Sequence, residues 1–84
     1  MQTAVEWLAA HVPVREDEAG RFLRWTSTEG RVQEAELEWV ADRYATQIER
    51  AQQTGEDVLE LVLAEGPDAG WHDIWRRWRE LGYI

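Results

Sequence analysis

His11 and His72 are the chain's only imidazoles, and acid–base work or metal ligation would start from them, since unperturbed imidazole titrates near neutrality. His72 stands beside Asp73 in "GWHDIWRRWRELGYI" (70–84), and His11 follows Trp7 by one helical turn. Neither spacing matches HExxH or another histidine–carboxylate ligand set. Cysteine is absent, which removes thiolate nucleophiles, disulfides and cysteine-held zinc. The glycines at 30, 55, 66, 70 and 82 are isolated, as turns and helix caps require, and no Gly-x-Gly-x-x-Gly or Walker-type loop occurs. Carboxylates are plentiful but fall in open polar runs such as "EDE" at 16–18, where no apolar surrounding would raise a pKa. These residues predict a protein that is not an enzyme and has no cofactor-binding or metal site.

The 84 residues make one domain over 1–84, short enough to bury only about 60–65% of its unfolded surface. Six tryptophans, two tyrosines and one phenylalanine must therefore carry the core, at roughly 150–250 Å² each. Seventeen acidic residues face nine basic ones, all arginine, for a formal charge of -8. That charge repels nucleic acid and anionic lipid and favours a basic protein partner. The opening "MQTAVEWLAAHVPVR" has no basic leader, and no run approaches the ~18 apolar residues of a membrane span. The expectation is a cytoplasmic protein with no membrane contact.

Positioning these side chains is the task of an all-α bundle of four or five short helices, judged at 100° per residue. Val5, Leu8, Ala9 and Val12 share one face before Pro13 ends the first helix. A second helix is predicted over 16–26, with acids first and arginines last, as the helix dipole prefers, and with Ala19, Phe22, Leu23 and Trp25 on its apolar side. Its rival is a hairpin at about 20–35, with "RFLRWTS" as one strand, "TEGR" as turn and "RVQEA" returning, which would make the fold α+β. Leu37, Val40, Ala41, Tyr44, Ile48 and Ala51 repeat at helical spacing and predict one amphipathic helix from about 32 to 53. Thr54 and Asp57 resemble a capping box before "DVLELVLAEGP", a helix closed by Gly66 and Pro67. Asp68 is placed to cap a last helix whose Trp71, Ile74, Trp75, Trp78 and Leu81 form one core-facing stripe. Its arginines fall beside or opposite that stripe, with Asp73 in reach of Arg76 and Arg77, and Arg76 in reach of Glu80.

The run "VLELVLAEGP" followed by a helix ending in "RELGY" resembles the first two helices of winged helix-turn-helix domains over about thirty residues. That resemblance implies a recognition helix after Ile84, where the sequence stops, and leaves Arg76, Arg77 and Arg79 as the only DNA contacts. The acidic charge opposes phosphate attraction. Direct nucleic-acid binding is not expected.

Surface left over from the core is then the functional feature. On the 32–53 helix, Trp39, Arg43 and Arg50 lie opposite the Tyr44/Ile48 stripe, with Arg43 in reach of the Trp39 ring and with Val32 and Ala35 extending the apolar area. On the first helix Trp7 falls off the Val5/Leu8/Val12 face. Trp7, Val32, Trp39, Arg43 and Arg50 are the predicted partner-binding residues of a non-catalytic interaction module, because tryptophan and arginine dominate binding hot spots. The same surface admits a second copy of the chain, giving a homodimer. The alternative is an acidic nucleic-acid mimic of phage or mobile-element type, whose Glu34/Glu38/Asp42 row occupies the basic groove of a nucleic-acid-binding protein.

Overall fold

The structure, a computed structural model, describes residues 1–66 and 68–84. Pro67, expected to follow the fourth helix's end, lies outside them. The chain runs α1 (Ala4–His11), β1 (Val14–Asp17), β2 (Gly20–Thr26), β3 (Val32–Glu36), α2 (Leu37–Arg43), α3 (Ala45–Thr54), α4 (Val58–Leu63) and α5 (Ala69–Glu80). This is an α+β fold and corrects the expected all-α bundle. The three strands form an antiparallel sheet in the order β1-β2-β3.

The segment expected as a helix over 16–26 is instead the end of β1, a tight turn and β2. Period-two packing wins: Leu23 and Trp25 turn inward and are buried, whereas Arg24 and Thr26 between and after them are exposed. Asp17 closes the first turn by accepting the Ala19 N–H at 2.8 Å. The second turn spans Ser27 to Arg31, with the Ser27 N–H bonded to the Arg31 carbonyl and the Gly30 N–H to the Ser27 carbonyl. Gly30 has φ +83° there, a left-handed conformation that side chains disfavour. The rival hairpin at about 20–35 is therefore present, with Trp25 opposite Gln33 and Leu23 opposite Ala35. A further strand, β1, pairs Arg15 with Phe22 on its other side.

The single helix expected over 32–53 is three elements. Its first five residues are β3, and the rest bends at Tyr44, which ends α2 and begins α3 at φ -114°, ψ 17°. Both helices keep the predicted inward stripe: Leu37, Val40, Ala41, Tyr44 and Ile48 are buried. Thr3 and Glu6 form a capping box at α1, a signal present in the sequence as T-x-x-E. Asp57, rather than Thr54, caps α4 by accepting the Leu59 N–H at 3.0 Å. Asp68 occupies the N-cap of α5 but makes no side-chain cap bond.

The core lies between the sheet's inner face and the helices, joining Leu8 and Val12 of α1, Leu23 and Trp25 of β2, Val58 and Val62 of α4, and Trp75 and Trp78 of α5. Both α5 tryptophans are fully buried, as the stripe predicts. Among the described residues no helix is long and apolar enough to cross a membrane.

Candidate interaction surface

Trp39 is the large aromatic side chain that this fold leaves outside. It is 49% exposed on α2, because the helix turns Leu37, Val40 and Ala41 into the core and carries Trp39 on the side facing away from them. One face of the indole stacks on Trp71 of α5, with ring centroids 5.2 Å apart and planes 30° apart. Trp71 is half-buried, so the expectation that it belongs wholly to the core is corrected. Placement at the first turn of α5 carries it to the core's rim.

Beneath this pair runs a continuous series of rings. Trp71 lies 6.1 Å from Tyr44, Tyr44 5.2 Å from Trp75, Trp75 4.8 Å from Trp78, and Trp78 5.4 Å from Trp25 in the sheet. Most contacts are edge-to-face or tilted, the arrangement that ring quadrupoles favour. Trp39 is the outer end of a stack anchored in the centre of the molecule. Its position is therefore fixed on one side and open on the other.

The charges around it are largely committed. Arg43, expected to lie over Trp39, instead lies over Tyr44 with its guanidinium carbon 4.9 Å from that ring's centroid. It reaches Glu65 at 2.7 Å and Asp68 at 3.5 Å. Burial pushes the Tyr44 phenol up to about 12, and the Asp68 charge adds to the effect. The Tyr44 hydroxyl donates towards Asp68 at 3.5 Å. The expected Glu34/Glu38/Asp42 row on one helix edge is also divided. Glu34 sits on β3 and is held by Arg15, which also binds Asp17. Glu38 sits on α2 and is held by Arg21, whose hydrogen bonds keep that carboxyl below its usual range. Asp42 is exposed and, among the described residues, has no cationic partner within ion-pair distance.

The other predicted contact residues, Trp7, Val32 and Arg50, sit on other elements than Trp39. Trp7 is buried to 9% exposure, stacked on His11 at 4.0 Å, and lines one hollow together with Tyr83 and Ile84. Helical rotation alone puts Trp7 off the core face, yet it belongs to the core, because α1 packs against both α2 and α3. Val32 is 54% exposed on β3, opposite Thr26 on the outer sheet face. Arg50 is exposed on α3 and binds Glu56 at 3.0 Å. With Trp7 in the core, the exposed aromatic surface is that of Trp39 with half-buried Trp71 against it.

Among the described residues no hydrogen bond joins either histidine to a carboxylate. His11 Nδ1 bonds the Trp7 carbonyl at 2.7 Å, a contact in which the ring nitrogen donates. Among the described residues no three histidine or carboxylate side chains are grouped as a metal site. A hollow of about 400 Å³ lies between the β2–β3 turn and α5, where Arg76 and Arg77 are already joined to Asp73 and Glu80. The expected Arg76–Glu80 pair is thus replaced by Arg77–Glu80. Arg77 also donates to the Thr26 carbonyl at 2.8 Å, fastening the hairpin to α5.

Compared with known proteins, the chain matches no family model, none of the curated proteins and none of the solved structures.

Proposed function

We propose that this protein is a non-catalytic interaction module that holds a basic protein partner through Trp39. The observation that carries the reading is a tryptophan half open to solvent while its inner face is stacked on Trp71. A preorganised ring of this kind loses little conformational freedom on binding, which is the property that makes tryptophan dominate hot spots. The net charge of -8 selects basic partners over nucleic acid or anionic lipid, and the reading assigns the protein to the cytoplasm.

Capture from the native host with wild-type and Trp39→Ala bait, alongside mass measurement of the free protein, tests the reading. The variant is expected to keep its far-ultraviolet circular dichroism and lose at least ~2 kcal/mol of binding. Unchanged binding by a folded variant removes Trp39 as the anchor, and a dimeric free protein whose dimer needs Trp39 replaces the partner with a second copy.

A second reading, the acidic mimic, retains one favourable observation: Glu16, Glu18, Glu36, Asp42, Glu49 and Glu60 are exposed with no cation bound among the described residues. Salt separates the two. A charge mimic loses most of its grip as ionic strength rises, because exposed charges are screened within about 10 Å at 0.1 M, whereas a ring-anchored complex retains much of its affinity.

A further inference from the structure

We infer that the partner group seated on Trp39 is an arginine side chain, its guanidinium flat on the open indole face and its edge towards Asp42. The inference rests on the proposed interaction surface and names the chemistry that fills it. The fold builds the same three-part unit twice from its own residues. Arg15 lies over Phe22, 4.8 Å from the ring centroid, while binding Glu34 and Asp17. Arg43 lies over Tyr44 at 4.9 Å while binding Glu65 and Asp68.

Trp39 with Asp42 repeats the ring and the acid without the cation. The two residues are three apart on α2, a spacing that makes helix side chains neighbours. Eight of the nine arginines are engaged by carboxylates, from Arg15 through Arg79. The ninth, Arg24, points from the outer face of β2 and does not supply the missing cation. Arginine fits better than lysine because a planar guanidinium lies flat on one open ring face while its edge donates to a carboxylate. Trp71 covers the other face, so the rings form a platform rather than a cage. A second copy of this chain is disfavoured as occupant, since it would bring Asp42 and the -8 charge of each molecule together.

Three peptides of one length on a Gly/Ser frame, bearing arginine, leucine or glutamate at the same positions, are titrated into the full nitrogen-labelled chain while its six indole N–H signals are followed. The arginine peptide is expected to move the Trp39 signal first. Its affinity is expected to fall by about 3- to 30-fold in both Trp39→Leu and Asp42→Asn. Asp42→Asn keeps the ring, and Trp39→Leu keeps an apolar surface, with circular dichroism checking that each is folded. A leucine peptide that moves Trp39 when the arginine peptide does not overturns the arginine assignment but leaves the interaction surface standing. Equal arginine-peptide affinity in Trp39→Leu also overturns it, because diffuse charge alone would then explain binding. A Trp39 signal that shifts with protein concentration and with no peptide overturns it in favour of a second copy. A Trp39 signal that answers to no peptide overturns it as well, and the capture experiment judges the surface separately.

Discussion

Trp75 and Trp78 are fully buried, and among the described residues neither indole N–H has an acceptor within hydrogen-bond geometry. An unsatisfied buried donor costs about 1–3 kcal/mol; replacing the whole ring by alanine costs about 3–5 kcal/mol. Trp75→Phe removes the donor and gives up some volume, so the effects oppose each other and denaturant unfolding should move by no more than about 1.5 kcal/mol. Trp75→Ala should lose about 3–5 kcal/mol, a large part of a small domain's stability. Tyr44 gives a test at the other end of the pH scale. Because burial raises its folded pKa from 10.0 to about 12, its stabilising effect is present below pH 10 and is lost as pH rises through the folded value. An ultraviolet titration should show one phenol ionising last, and Tyr44→Phe should abolish that step. At this scale the open position of Trp39 was legible, because rotation about a helix axis gives the side opposite a known stripe. Trp7 was not, since covering a helix's second side depends on which further elements pack against it, here α2 and α3 together. Trp71 had the correct period but the wrong depth, because period tells direction and not distance from the helix's end.

Elements formed where several local signals agreed and failed to form where two periods overlapped. The apolar spacing of α1, α4 and α5 and the inward stripe of α2 and α3 were legible before any tertiary contact. In "RFLRWTS" the adjacent Phe22 and Leu23 satisfy a helical face, while Leu23 and Trp25 satisfy a strand. Cross-strand pairing with β3 resolves the conflict, and β3 had itself been read as the start of a helix. Gly30 controls that pairing through its left-handed backbone. Gly30→Ala should therefore cost about 1–2 kcal/mol in thermal unfolding, although nothing lies within 4 Å of the Cβ it would add. Asp57 joins two elements, capping α4 and binding Arg79 of α5. Hydrogen bonding from Arg79 lowers its pKa below the ordinary 3.8. A lowered carboxylate stabilises the fold above its unfolded pKa and loses that effect as pH falls through the folded one. Denaturant midpoints should accordingly drop below about pH 4, and drop less steeply in Asp57→Asn.

Across the whole molecule one core touches both layers: Trp25 of the sheet meets Trp78 of α5, and Tyr44 between α2 and α3 meets Trp75. Sheet and helices should consequently unfold together. Circular dichroism and tryptophan emission should report a single coincident transition in urea, as two-state domains of this size do; separate midpoints would mean that the hairpin melts alone. Net charge was fully legible in the sequence, but its distribution was not, because strand register brings Arg15 to Glu34 across nineteen positions. With Arg21 holding Glu38 as well, the apparent acidic row keeps one carboxylate, Asp42, with no cation among the described residues, on the same helix as the exposed Trp39 ring. The ladder of rings from Trp25 to Trp39 has an optical consequence too. Energy absorbed by a central indole can migrate between chromophores this close, so a guest settling on the outermost member should alter emission gathered from the interior. The molecule carries its own unlabelled sensor for occupancy of its surface.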